Sequence, residues 1–210
     1  MTQHPASPAR AVLYDFSGVL AEEGFISGLR AIAAENGLDP QAFVRAATDV
    51  CYTSGYADGL APASAFWQGV RQVTGITHDD ATLQEAVLSR FVIRPDMFAD
   101  VDALREQGLT VALVSDHTDW LETLDDRHGV FHHFDHAFSS FREKRNKRTG
   151  ELFDRALDVL GLAPEQTMFF DDNAGNVERA ILRGIDARLF TDKPAYRADL
   201  ASRLPHLCMP

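Results

Sequence analysis

Ala11-Val12-Leu13-Tyr14-Asp15-Phe16-Ser17-Gly18-Val19-Leu20 is the stretch whose reading decides the fold. Four successive apolar side chains describe a strand buried on both faces, and an acid ends the run at Asp15. In open α/β sheets the carboxyl ends of the strands face the ligand crevice. A carboxylate placed there can act as a nucleophile or hold a hard cation. Chemistry that also needs a proton shuttle calls for a second acid two residues on, pointing back to the same face. This chain has Ser17 there.

Four later segments repeat the pattern. Leu109 to Val114 runs into Ser115-Asp116, Ala137-Phe138 into Ser139-Ser140, Thr167 to Phe170 into Asp171-Asp172, and Ala187 to Phe190 into Thr191-Asp192. Helical patterns lie between them at Pro95 to Gln107, Glu151 to Leu160 and Gly175 to Arg183, each closed by a glycine. Strands alternating with short helices predict an α/β fold, a Rossmann-like doubly wound parallel sheet of about five strands. The segment from Ala21 to Arg90 differs. It carries four helical patterns, Ile26 to Asn36, Pro40 to Tyr52, Pro62 to Val73 and Asp79 to Phe91, and no strand. The expected organisation is a core of residues 1–20 and 91–210 with a helical cap, 21–90, standing over the strand ends as a lid.

With 210 residues, 45% hydrophobic and 24% charged, the chain can bury one full core and a smaller appended unit. Its net charge of −11 speaks against a nucleic-acid partner, because affinity for a phosphate backbone comes from massed Lys and Arg. Cys51 and Cys208 form no CxxC pair and read as inert thiols in a reducing compartment. Met1 to Arg10 lacks the pattern of a secretory signal, and no apolar run approaches the ~20 residues that span a bilayer. The expectation is a cytoplasmic protein without a membrane partner, monomeric or homodimeric.

In chain order, the polar residues at the strand ends are Asp15, Ser115, then Lys147, then Asp171-Asp172 with Asn176 a turn later. This order resembles the haloacid dehalogenase superfamily over nearly the whole chain, with the helical insert in the place of that family's cap. Phe169 to Val177 followed by Gly184-Ile185, with Leu104-Arg105-Glu106-Gln107-Gly108 upstream, is similar to the branch of bacterial glucose-1-phosphate phosphatases and the phosphatase half of soluble epoxide hydrolases. Lys147 to Phe153 sits where relatives carry Lys-Pro-Asp-Pro-x-Ile-Phe, which selects Lys147 over Lys144. The resemblance implies a Mg²⁺-dependent phosphatase acting on a small phosphorylated metabolite. It makes Asp15 the nucleophile that forms an aspartyl phosphate. It gives Mg²⁺ to the Asp15 carboxylate, the Ser17 backbone carbonyl and Asp172, with Asp171 and Asn176 supporting them. Ser115, helped by the amino end of a following helix, and Lys147 then bind the phosphate.

Three departures qualify the expectation. Ser17 stands where ester-hydrolysing relatives carry an acid that protonates the leaving oxygen. Its absence costs ~10² to 10⁴ in rate and restricts the chain to good leaving groups such as anomeric or acyl phosphates. Asp116 replaces the usual Asn beside the motif serine; it and His117 are candidates for the missing acid or for substrate contact, with helix capping as the plainer role. Arg148 replaces a Pro within Arg142 to Arg148, a basic run that reads as a solvated loop or a phosphate-collecting rim. His128, His132, His133 and His136 raise zinc as a minor alternative, and Phe43, Tyr52, Phe66 and Trp67 read as cap core. Two rival enzymes share the fold. Carbon-halogen hydrolases need no metal, which the Asp171-Asp172 pair argues against, and phosphonate cleavage needs a cap lysine where none precedes Lys144. The non-enzymatic alternative is an impaired relative that serves as a phosphate-binding or regulatory module.

Overall fold

The computed structural model describes residues 8–207 and 209. The expectations for the start of the N-terminal segment and for Cys208 lie outside them. In chain order the elements are β1 (Ala11–Tyr14), α1 (Gly24–Glu35), α2 (Pro40–Thr53), α3 (Ala63–Thr74), α4 (Asp80–Leu88), α5 (Pro95–Glu106), β2 (Thr110–Ser115), α6 (Trp120–His128), β3 (His136–Ser139), α7 (Ser140–Glu143), α8 (Glu151–Leu160), β4 (Thr167–Asp171), α9 (Ala174–Ile181), β5 (Asp186–Leu189) and α10 (Lys193–Arg203). The five strands form one parallel sheet of order β3-β2-β1-β4-β5. Helices α6 and α10 were not marked by the sequence reading.

The central strand is β1, and all four of its residues are fully buried, as its unbroken apolar run requires. Alternate side chains supply the two layers. Leu13, Ala112, Val114 and Phe169 turn toward Phe153 and Ala156 of α8 and Val177 and Ala180 of α9. Val12, Tyr14, Leu113 and Phe170 turn the other way, into a core that continues without a break into the four helices of the insert. Each fully buried Phe, Leu or Val in these layers contributes roughly 1.5–3 kcal/mol. Tyr14 pairs with Leu113 and with Phe170, so Asp15 and Asp171 leave neighbouring strands at the same level and Ser115 ends the strand on the other side.

Helices α1 to α4 follow β1 directly. Gly28 lets α1 and α4 cross closely, since a Cβ there would lie 2.6 Å from the Val87 Cα. An aromatic cluster joins these helices to the sheet layer. Trp120, the first residue of α6, packs with ring centroids 5.8 Å from Tyr56, 6.0 Å from Phe66 and 5.8 Å from Trp67. Polar ties add to it: Ser140 Oγ donates to Ala57 O at 2.8 Å, Asn146 Nδ2 to Asp58 Oδ1 at 2.9 Å, and Arg127 forks onto Glu85. No helix among the described residues is long and apolar enough to cross a membrane.

Candidate active site

Strand pairing sets where the floor of the site begins. The Asp15 backbone N–H donates to Phe170 O at 2.9 Å, which locks the start of its side chain to β4. Asp15 Oδ1 accepts the Phe16 N–H at 2.7 Å and lies 2.9 Å from Lys147 Nζ. Asp171 is fully buried with both oxygens engaged: Oδ2 accepts from Lys147 Nζ at 2.6 Å and Asn176 Nδ2 at 3.0 Å, and Oδ1 accepts the Asn173 N–H at 2.7 Å. Asp172 is exposed, and among the described residues its carboxylate pairs with no other side chain. Carboxylate oxygens of Asp15, Asp171 and Asp172 lie within 4.8 Å of one another.

Burial pushes the Asp15 carboxyl up to about 7; the Lys147 charge opposes the shift and Asp171 adds to it. Burial by itself would lower the Lys147 pKa, but Asp15, Asp171 and Asp116 outweigh it and raise it, so the ammonium keeps its proton inside the protein. Burial and then Asp171 raise Asp172 as well, while Lys147 and Arg94 pull it back. One ammonium among these acids leaves the group short of positive charge. An all-oxygen set of this kind fits a hard divalent cation such as Mg²⁺, with Asp15 and Asp172 retaining free oxygens to hold it.

Backbone also comes close to this group. Gly18 has φ +78°, and a Cβ on it would lie 2.0 Å from Asp172 Oδ2, so only glycine brings the Ser17-Gly18 segment against that carboxylate. Arg94 Nη1 fixes the turn by donating to Gly18 O at 2.6 Å and Val19 O at 3.2 Å. Ser17 is half-buried, lines the cavity and makes no side-chain hydrogen bond among the described residues.

Lys147 reaches the floor because its loop is anchored from several sides. Asp116 Oδ1 accepts the Lys147 backbone N–H at 2.8 Å, and burial raises the Asp116 pKa. Lys144 turns away to Gly59 O and Phe141 O, Arg142 pairs with Glu122, and Arg148 stacks over the Tyr52 ring at 4.4 Å. Most of the basic run is therefore pinned to its surroundings, while Arg145 is exposed. Helix α6 begins at Trp120, so four residues separate Ser115 from the amino end that was expected beside it. Neither Asp116 nor His117 caps that helix. Asp116 holds the Lys147 loop, and His117 packs 5.8 Å from Phe16 and 5.3 Å from Phe91, ring to ring.

Above the floor opens a cavity of about 680 Å³ lined by the helices of the insert as well as by the sheet. Glu23, Ile26, Thr48 and Tyr52 contribute from one side, and His117 and Trp120 from the other. None of Glu23, Thr48, Trp120 or Arg94 stood out in the sequence. Glu23 caps its own helix, accepting from the Ile26 and Ser27 N–H groups, and burial raises its pKa. Among the described residues Thr48 Oγ1, Ser115 Oγ, His117 Nε2 and Trp120 Nε1 are buried without hydrogen-bond partners, although Ser115 is near enough to Asp15 to favour its ionised form. Burial, reinforced by the charge of Lys147, lowers the His117 pKa to about 4, so the ring is neutral at pH 7.

Phe43, Phe66 and Trp67 are buried in the core, whereas Tyr52 is 38% exposed and faces the cavity, unlike the core role read for it. The histidines do not gather around a metal. His133 Nδ1 meets Asp102 Oδ1 at 2.8 Å, and among the described residues the only His, Cys, Asp or Glu group able to share a cation is Asp15, Asp171 and Asp172.

The sequence model of haloacid dehalogenase-like hydrolases matches residues 9–181. Solved structures with the same fold include a HAD family enzyme from Bacteroides thetaiotaomicron, 23% identical over 88% of this chain and 95% of that one, with a TM-score of 0.74. The same enzyme in complex with magnesium and inorganic phosphate is 22% identical over 90% and 98%, TM-score 0.73. The L-2-haloacid dehalogenase of Xanthobacter autotrophicus, with chloropropionic acid covalently bound, is 19% identical over 93% and 84%, TM-score 0.65. At these identities the likeness concerns the fold.

Proposed function

The chain belongs to the haloacid dehalogenase-like hydrolases, and from that membership we propose that it is a Mg²⁺-dependent phosphomonoester hydrolase acting in the cytoplasm on a small phosphorylated metabolite. What carries this reading is Lys147 Nζ, buried 2.9 Å from Asp15 and 2.6 Å from Asp171, with the exposed Asp172 carboxylate beside them. Phosphoryl transfer needs an in-line nucleophile and positive charge about the equatorial oxygens, and it leaves little covalent chemistry beyond that. When bound by Asp15, Asp172 and the Ser17 carbonyl, Mg²⁺ supplies the charge that lets a dianionic ester approach a carboxylate.

The remaining steps fall to the protein's own groups. Asp15 attacks phosphorus, the bond to the leaving oxygen breaks, and water later hydrolyses the aspartyl phosphate. Lys147 favours the ionised form of Asp15 against the effect of burial and draws the phosphoryl oxygens. Ser115 Oγ, buried without a partner, donates to one of them. Asp171 holds Lys147 in line, and Asn176 holds Asp171. No acid stands at Ser17 to protonate the leaving group, so the reaction suits anomeric, acyl or aryl phosphates whose oxygen departs readily.

Carbon-halogen cleavage, which needs no metal, would leave three acids to share the single Lys147 ammonium, with Asp172 unpaired among the described residues. Ser17 favours one second reading, a module that holds metal and phosphate with impaired turnover. The test is hydrolysis of p-nitrophenyl phosphate with Mg²⁺ and after chelation. Asp15→Asn should lower Mg²⁺-dependent kcat at least about a thousandfold. Activity surviving that substitution would overturn the assignment, and no hydrolysis of any activated ester would favour the module.

A further inference from the structure

Most arginines of this protein are paired with acids, among them Arg71, Arg94, Arg127, Arg183 and Arg197. Two that line the cavity are not. Arg148 lies over the Tyr52 ring at 4.4 Å, reaching from the Lys147 loop to α2. A guanidinium stacked on a ring face keeps its in-plane N–H donors free, in the fork that matches a carboxylate or phosphate edge. Arg179 donates from Nη1 to Asn176 Oδ1 at 3.2 Å, and no acid lies within ion-pair distance of it among the described residues.

The acids of the same cavity are mostly engaged. Asp15 and Asp172 belong to the cation site, Asp116 takes the Lys147 backbone N–H, and Glu23 caps α1. Asp49 is exposed on α2, and its carboxylate has no partner among the described residues. Charge left over for a ligand is therefore mainly cationic. It stands beyond Lys147, which Asp15 and Asp171 already hold. Arg148 is set by its stack on Tyr52 and Arg179 by its bond to Asn176, so neither has to be ordered from a free side chain when a ligand arrives.

We infer that the substrate carries a second anionic group, a carboxylate or a second phosphate, which Arg148 and Arg179 bind while the phosphoryl unit sits at Asp15. The inference rests on the phosphatase reading and adds the chemistry of the leaving group to it. It makes the two arginines determinants of specificity, with no part in bond breaking.

The test uses esters with one chromophoric leaving group: p-nitrophenyl phosphate, its ring-carboxylate and ring-phosphonate derivatives, and the ring-carboxamide as the neutral control. The wild-type protein should prefer at least one of the two anionic esters to the carboxamide by about tenfold or more in kcat/KM. Whichever is preferred tells a carboxylate from a phosphate. In Arg148→Gln and Arg179→Gln the ratio of anionic ester to carboxamide should fall toward one, mainly through KM. Arg148→Lys should recover part of it, because charge survives and the fork does not. Hydrolysis of p-nitrophenyl phosphate with no preference for either anionic ester would overturn the inference and leave the phosphatase reading standing. So would a preference that persists in both Gln variants. If no ester is hydrolysed, the phosphatase reading fails and the inference with it.

Discussion

On the floor of the cavity Lys147 and Asp171 are buried almost completely, and the Lys147 ammonium meets both Asp15 and Asp171 within hydrogen-bonding distance. On the walls above it Thr48, His117 and Trp120 hold buried polar atoms with no partner, and Tyr52 and Arg148 meet at an open rim. The floor is made by strand ends, whose register leaves no freedom about where Asp15 and Asp171 emerge. The walls are made by helix faces, where one side chain can be exchanged for another without moving the backbone. The contrast teaches that the charge arrangement for the reaction is set in advance, while contacts to the leaving group remain to be completed by what binds.

The hardest blow to this contrast is Lys147→Met. Removing the ammonium leaves the buried Asp15 and Asp171 facing each other without a counter-charge, a loss of about 3–5 kcal/mol in unfolding free energy by urea titration. Mg²⁺ should restore part of it by occupying the same group of acids. A loss below about 1 kcal/mol would mean that Lys147 does not hold Asp15 and Asp171 together as described.

His117 lies where floor and wall meet, and it excludes charge instead of pairing it. The ordinary histidine pKa is 6.5 and the folded one is lowered to about 4, so the unfolded chain takes the proton first. Stability should fall as pH drops from 6.5 toward 4 and level off below that, by on the order of 3 kcal/mol for this group. His117→Leu should lack that share of the acid sensitivity, measured as the difference between the two proteins' stability at pH 6.5 and pH 4. Equal slopes in both would sink the idea.

A gain is expected from Ser17→Asp. The new acid should raise kcat toward p-nitrophenyl phosphate by about 10²-fold and more for esters with poorer leaving groups. An unchanged rate would show that some other group already supplies the proton.

The smallest effect is expected on the wall. Thr48→Val replaces a buried, unpaired hydroxyl by a methyl of similar shape, and should stabilise the protein by about 1 kcal/mol while raising KM for the natural class of substrate. Lower stability would place an unrecognised partner on Thr48 Oγ1.

Floor and walls also differ in how far they could be read from the chain. Buried parallel strands must be apolar throughout, and an acid closing such a run is conspicuous, so Asp15 and Asp171 announced themselves. Lys147 needed its downstream spacing to stand apart from Lys144. Helices α6 and α10 are hard to see for their polarity: charged and polar side chains fill most of both segments, so Trp120, Leu121 and Leu124 in the one and Tyr196 and Leu200 in the other do not stand out as an apolar stripe. Thr48 and Glu23 were silent for another reason. Their side chains are ordinary for helix surfaces and helix starts, and only the docking of α1 and α2 over the sheet turns them toward the site. Arg94 is likewise distant from Gly18 in sequence, and nothing local marks the carbonyls it will meet.

Ser17 and Gly18 are adjacent, yet mutation can reach them very differently. Position 17 borders the cavity, so an exchange of its side chain bears on turnover before it bears on the scaffold. At position 18 any added carbon collides with Asp172. Loss of speed is thus a short evolutionary step for this lineage and loss of the cation cradle a long one, which lets descendants that no longer turn over keep the shape that grips a phosphorylated molecule.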